Sequence, residues 1–324
     1  MTAARNRLLQ HVLALSPLIL LAVLTAVFAL VDPRVVSTQS LLNIVSQATP
    51  IAVLALGALI VLLTGGIDLS AGVGVAFCAV LVASLIDAGT GLSGALAIGL
   101  AVMLLIGMAN GAVIALLKIP PFVTTLATMV ALQGATLAVA SKGVLMLKEP
   151  WLRLIGVERS FGAPNVIFAT ALIAIAAGVL MRRTRFGLRT YALGSDPAAA
   201  ELAGIPVKRQ TILVYAASGL FVFLTAFIMI SRVPVVTPNI GGTPLLLDAI
   251  AAAVLGGTSI FGGRGTVWGT VVGALIVSLL TTALRIFGTD PSSLELYKGA
   301  IIMAALMADS AMAYAKARLV AAAR

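Results

Sequence analysis

The chain has 324 residues, 61% of them hydrophobic and only 10% charged, with a net charge of +10. Soluble domains are about 45–50% apolar and 25% charged, so this composition, with a mean hydropathy of +1.15, excludes an ordinary soluble enzyme, a disordered chain and a disulfide scaffold. One cysteine, Cys78, and one histidine, His11, supply no intrachain disulfide, no metal site and no histidine-based catalytic cluster. Aromatics at 5% and the lack of a dense basic face argue against nucleic acid. The basic excess fits instead the Lys and Arg that membrane proteins keep on the cytoplasmic side.

A helix needs about 20 apolar residues to cross the hydrocarbon core. Breaking the charge-free stretches at Gly, Pro and charged residues predicts ten spans, at 11–31, 41–63, 70–87, 93–117, 121–141, 164–181, 211–231, 244–260, 266–287 and 294–312. Asp248 and Lys298 fall inside the eighth and tenth. The first stretch, after Arg5 and Arg7, is too long for a signal core and precedes no small-x-small cleavage site, so it is read as a retained helix. With the N-terminus inside and ten crossings, the larger share of the Lys and Arg falls inside, anchored by Arg182, Arg183, Arg185, Arg189, Lys208 and Arg209. The fold class is thus an all-α polytopic membrane protein of about ten transmembrane helices with both termini cytoplasmic. Residues 1–324 form a single transmembrane domain. Of its two longer polar segments, 142–163 is placed outside and 182–210 inside.

Along the chain, two glycine-rich loops resemble each other: Thr64-Gly65-Gly66-Ile67-Asp68-Leu69-Ser70-Ala71-Gly72-Val73-Gly74 and Leu255-Gly256-Gly257-Thr258-Ser259-Ile260-Phe261-Gly262-Gly263-Arg264-Gly265. The glycine pairs 65/256, 66/257, 72/263 and 74/265 share an offset of 191. Both loops are placed on the cytoplasmic side, and matched interruptions in transporter halves often mark the permeation site. Chance matching in a glycine-rich chain is the competing reading. Gly107 with Gly111, and Gly265, Gly269 and Gly273, have the small-xxx-small spacing that lets helix backbones approach closely.

Segment 182–210 holds a short, well-punctuated helix. Ser195 or Asp196 can cap it, Pro197 suits its first position, Gly204 suits its left-handed end and Pro206 stops it. Two turns are too few to be stable alone. Its alanines and Leu202 fit a groove on another protein, and Glu201 is its single charge. The residues alone leave open a plain surface helix or a docking helix.

Polar side chains within the spans include Asn43, Gln47, Asn110, Thr124, Thr125, Thr128, Gln133, Ser218 and Asp248. In lipid each needs a partner or a watery cavity. Asn43, Asn110 and Asp248 are the better candidates for a polar path, with helix-packing glue as the alternative. Asp248 is expected near a helix end. No lysine follows a glycine, so the Gly-Lys-Ser/Thr phosphate loop is absent, and no ionisable relay marks a proton- or sodium-coupled carrier. A pore-forming subunit driven by a partner fits both absences, and a path poor in charge suits a neutral polar solute.

These stretches resemble the permease subunits of bacterial ABC importers for monosaccharides such as ribose, xylose, arabinose and galactose. The resemblance is carried by Thr64–Ser70, Asn110-Gly111, Lys118-Ile119-Pro120-Pro121-Phe122-Val123-Thr124-Thr125-Leu126, Arg185-Phe186-Gly187, Ala192-Leu193-Gly194, Ala199-Ala200, Ala203-Gly204-Ile205-Pro206-Val207, Tyr215 and the run from Leu247-Asp248 through Gly256-Gly257-Thr258 to Gly262-Gly263. It covers about residues 40–310.

The resemblance implies a multi-pass protein of the bacterial inner membrane that carries out no covalent chemistry. Its partners would be a second permease copy, two ATPase subunits that hold the ATP and magnesium, and a periplasmic solute-binding protein. No cofactor or metal would bind this chain. Within 182–210, ATPase coupling would rest on Gly187, Ala192, Gly194, Asp196, Ala199, Ala200, Glu201, Gly204 and Ile205. The translocation path and its gating would rest on Asn43, Gly65, Gly66, Asp68, Ser70, Asn110, Thr124, Thr125 and Asp248. The chain departs from the family pattern at Gln133-Gly134, where Arg-Gly is frequent, at Leu246-Leu247-Asp248, usually Glu-Leu-Asp, and at Ser195-Asp196, usually Gly-Asn. The first two allow a heterodimer with a second, different permease. A permease for nucleosides or polyols, a secondary carrier working alone, and a membrane subunit with no path are the alternative readings.

Overall fold

The computed structural model describes residues 15–140, 143–147, 149–290, 292–304 and 307. The start of the first predicted span, the last residue of the fifth, the end of the tenth and both termini lie outside the described residues. The helices are α1 (Ser16–Val31), α2 (Thr38–Leu62), α3 (Ser70–Asp87), α4 (Leu92–Leu117), α5 (Pro121–Val139), α6 (Pro150–Gly156), α7 (Asn165–Arg183), α8 (Arg185–Ser195), α9 (Pro197–Leu202), α10 (Val207–Arg232), α11 (Gly242–Leu255) and α12 (Val267–Ile286). A last helix, α13, covers 292–304. Two-residue ribbons pair Leu145–Met146 with Val235–Val236 and Arg159–Ser160 with Ala163–Pro164.

Among the described residues, seven helices are long and apolar enough to cross a membrane: α2, α3, α4, α5, α7, α10 and α12. The eighth predicted span is shorter than the hydropathy pattern suggested. The eighth ends at Leu255 because Gly257 takes a left-handed φ of 85° and the Thr258 N–H closes the helix on the Ala253 carbonyl. The first is described only from Ser16, with Pro17 in its opening turn.

The second half of α2 is the hub. Every residue from Ala48 to Leu62 is buried, the mark of a helix that is apolar all round. Helices α10, α11 and α12 pack directly on it, and α7 leans on it from outside. The two small-residue ladders work as spaced. A side chain at Gly107 or Gly111 would strike the backbone of α10 at Tyr215 or Ile212, and one at Gly269 or Gly273 would strike α11 at Gly256 or Ala252.

The glycine loops after α2 and α11 also meet, the Gly263 N–H donating to the Leu63 carbonyl at 2.9 Å. Both helices end in the same C-cap, with left-handed glycines at 65 and 257. By backbone conformation the repeat therefore pairs Gly65 with Gly257, one residue away from the offset that the glycine spacing suggests. These loops share one end of the bundle with α8, α9 and the basic residues Arg182, Arg183, Arg185, Arg189, Lys208, Arg209 and Arg264. At the opposite end, Arg34 pairs with Asp32 through two side-chain hydrogen bonds to Oδ2. These bonds hold the Asp32 carboxyl below the usual carboxylate range.

Candidate functional site

Asp68 lies in the loop between α2 and α3 and is buried. Its Oδ1 accepts from the Ser70 N–H at 3.0 Å and the Ser70 hydroxyl at 2.5 Å, and its Oδ2 accepts from the Ser218 hydroxyl of α10 at 2.7 Å. Burying a carboxylate is costly unless it is hydrogen-bonded, and here every donor is neutral. The network then crosses to α4 and α5. Asn110 donates to the Ser70 hydroxyl at 3.2 Å, and the Thr128 hydroxyl lies 2.6 Å from Asn110 Oδ1. Thr125 accepts from the Leu69 N–H at 3.1 Å, and its hydroxyl lies 3.1 Å from the Ile67 carbonyl. Thr124 is buried beside it, 3.4 Å from the Pro120 carbonyl.

The loop is thereby tied to four helices. Gly65 supplies its left-handed turn. At Gly66 there is no room for a side chain, because an added Cβ would sit 2.6 Å from the Tyr215 hydroxyl. That hydroxyl is itself buried with no hydrogen-bond partner. Ser218 and Tyr215 thus belong with this cluster, although the site reading from sequence left them out. The available signal was that both sit on one apolar helix at near-helical spacing, each carrying a hydroxyl that needs a partner.

Two of the path candidates lie apart. Asn43 is exposed near the start of α2 and accepts from Gln39 at 3.1 Å. Asp248 is in the middle of α11 rather than near its end, and Lys298 of α13 lies 2.8 Å from it. Lys298 is buried and also bonds Glu295. The compensation of a lone acid in one weak apolar stretch by a lone base in another was the signal for this pair.

A cavity of about 420 Å³ opens between α3, α5 and the 238–244 segment, lined in part by Gln133, Thr136, Asn239 and Thr243. Its α3 wall, Val73 and Ala76, begins one turn beyond Ser70. None of the nine path candidates lines it.

The 182–210 segment folds into two helices. The capping residues behave as read: Asp196 accepts from the Ala198 and Ala199 N–H groups at 3.0 Å, and Gly204 takes φ 78°. The Ile205 N–H returns to the Ala200 carbonyl at 3.0 Å. Helix α8 was not foreseen, and it is the seat of α9. Gly187 lies against the Met181 backbone, and Gln210 donates to the Phe186 carbonyl at 3.0 Å and the Thr190 hydroxyl at 2.8 Å. The Tyr191 hydroxyl donates to the Gly265 carbonyl at 2.8 Å, and Gly194 is wedged against the Leu63 carbonyl and Gly263. Gly187 and Gly194 therefore face their own chain, Ala192 is half-buried, and Ala200 is buried. Asp196, Ala199, Glu201 and Gly204 are exposed, Ile205 is half-buried, and Leu202 is 91% exposed.

Among the described residues, seven helices able to span a bilayer, several of them joined through the buried Asp68 network, define a multi-pass membrane protein. Over residues 40–308 the chain matches the family described as "Branched-chain amino acid transport system / permease component", and it belongs to this family of transport permeases. It is 33% identical over 297 residues to the ribose import permease protein RbsC of Escherichia coli K12, covering 90% of this chain and 92% of that one. It is 34% identical to the RbsC of Bacillus subtilis, covering 91% and 92%. The galactose/methyl galactoside import permease protein MglC of Escherichia coli K12 is 33% identical, covering 90% and 92%. No solved structure matches the chain.

Proposed function

We propose that this chain is the membrane-spanning permease subunit of an ATP-binding cassette importer for a monosaccharide or similar neutral polyhydroxy solute. The observation that carries the reading is the likeness, along 90% of the chain, to permeases named for ribose and for galactose import. In this reading residues 1–324 form one transmembrane domain crossing the bacterial inner membrane ten times, with α1, α11 and α13 as short spans. The basic end, with both termini, faces the cytoplasm. Two permease copies, identical or different, surround the path. A periplasmic binding protein delivers the solute, and separate ATPase subunits hold ATP and magnesium.

The exposed face of α9, with Asp196, Ala199, Glu201 and Leu202, seats on the ATPase. Closure of the ATPase pair pushes on α8, and Gly194 passes the movement to the glycine loops at Leu63 and Gly263. Asp68, Ser70, Asn110, Thr124 and Thr125 keep the first loop locked to α3, α4, α5 and α10, so that these helices tilt as one body. Gln133, Thr136, Asn239 and Thr243 offer hydroxyl and amide groups to a sugar in the adjacent cavity. The test is uptake of labelled ribose and galactose into proteoliposomes holding this permease, its ATPase and its binding protein. Uptake should require ATP. Uptake by this chain without the ATPase, driven by a proton or sodium gradient, would sink the reading.

A further inference from the structure

A second cavity, of about 740 Å³, is set between α7 and α12, with no residue of the Asp68 network in its walls. Its walls are Ala171, Ala174, Ile175, Gly178 and Val179 of α7 with Val267 and Val271 of α12. Arg182 and Arg183 stand at its mouth beside Trp268. Both arginines are exposed, and among the described residues neither makes an ion pair. Trp268 is 65% exposed. From Ala171 to Arg183 the groove follows α7 for about 18 Å, roughly the depth of one leaflet of a 30 Å hydrocarbon core. Tryptophan and arginine at one end of an apolar groove mark the headgroup level.

The geometry points to a binding site for an anionic glycerophospholipid. The acyl chains lie along the small side chains of α7. The phosphodiester is held by the Arg182 and Arg183 guanidinium groups, which make no ion pair among the described residues, and Trp268 covers the glycerol region. Two fixed cations at the surface of a leaflet favour an anionic over a zwitterionic headgroup. The position gives the lipid a consequence: Arg183 immediately precedes Thr184, the cap that joins α7 to α8, so a bound headgroup steadies the root of the α8–α9 arm.

The test is native mass spectrometry of the purified full-length permease with its co-purifying subunits, after equilibration in detergent with equal amounts of phosphatidylglycerol and phosphatidylcholine. The wild type should retain phosphatidylglycerol with a preference of roughly tenfold. Arg182→Gln with Arg183→Gln should abolish the preference, and Arg153→Gln with Arg159→Gln, at the opposite end, should leave it intact. Gly178→Leu is a fold-safe probe of the groove itself, since a Cβ there meets only Val267 Cγ1, at 4.0 Å, and leucine favours helix. It should reduce retention of both lipids. Equal retention of the two lipids by the wild type, or an unchanged preference in the double arginine variant, would overturn the assignment. So would a disulfide between two copies through Trp268→Cys, which would mean that a second copy of the chain fills the groove.

Discussion

Asp68 and Asp248 are both carboxylates inside an apolar bundle, but neutral donors hold the first and a lysine holds the second. Asp68 is pinned by Ser70 and Ser218, on helices packed around the hub. Asp248 depends on Lys298, on the last described helix of the chain. A carboxylate held by hydroxyls and a backbone N–H adds rigidity where several helices already meet. A carboxylate held by an ammonium ties in one peripheral helix, and the tie can be removed as a unit. The first arrangement suits a fixed fulcrum and the second an attachment.

The largest effect should come from Asp68→Ala. It strands the Ser70 N–H and the Ser70 and Ser218 hydroxyls, and each buried group left unpaired costs about 1–3 kcal/mol. Sugar uptake should vanish and the amount of permease in the membrane should fall severalfold, read by labelled-ribose uptake and quantitative immunoblotting. Asp68→Asn keeps the volume and one acceptor oxygen, so abundance should largely return while uptake stays low. Full uptake in Asp68→Asn would show that the loop does not need the carboxylate's two acceptors.

Next comes Lys298→Met, which leaves Asp248 half-buried and uncompensated. Breaking a buried pair costs about 3–5 kcal/mol, reduced here because the Asp248 side chain is 16% exposed. The double variant Asp248→Asn with Lys298→Met should recover most of the lost abundance, since a neutral pair of similar volume needs no counter-charge. No such rescue is expected at Asp68, where the backbone N–H of Ser70 cannot be removed. Equal rescue at both sites would erase the contrast between them.

Much of this was legible in the chain. Helix α9 is written out by Asp196, Pro197 and Gly204, because caps act on neighbouring residues. The close contacts of Gly107 and Gly273 follow from their spacing. What the sequence could not show was long-range and conformational. Helix α8 was hidden because its polarity marks only a loop between spans. Its buried face is Gly187, Thr190 and Leu193, too few apolar residues to announce a helix. The cross-helix partners of Asp68 and Asp248, Ser218 and Lys298, lie 150 and 50 positions away, beyond any local pattern. The eighth apolar stretch runs on past the glycine cap that ends its helix, at Gly257, because hydropathy alone does not register a left-handed turn.

Gly194 and Gly204 sharpen the comparison within the proposed coupling arm. Gly194 has helical backbone, and any side chain there meets the Leu63 carbonyl. Gly204 has nothing within reach of an added Cβ but holds φ 78°. Gly194→Ala should therefore push α8 off the glycine loops, leaving ATP hydrolysis by the assembled complex while uptake falls by about an order of magnitude. Gly204→Val strains only the end of α9, by about 1–2 kcal/mol. It should weaken ATPase attachment and partly uncouple hydrolysis from transport. If Gly204→Val proves the more damaging of the two, the force enters mainly through the tip of α9. The α8 seat would then be a passive support.

The smallest effect isolates the cation from its surroundings. Glu295 lies 2.8 Å from Lys298, but its side chain is 61% exposed, and an exposed ion pair is worth about 0–1 kcal/mol. Glu295→Gln should therefore leave both abundance and uptake near the wild-type level, measured beside Lys298→Met in the same membranes. A loss as large as that of Lys298→Met would mean that Glu295, and not Asp248, is the partner that holds α13. The attachment would then sit at the solvent-exposed edge of the helix rather than inside the bundle, and the opposition between a fulcrum and a tie would rest on Asp68 alone.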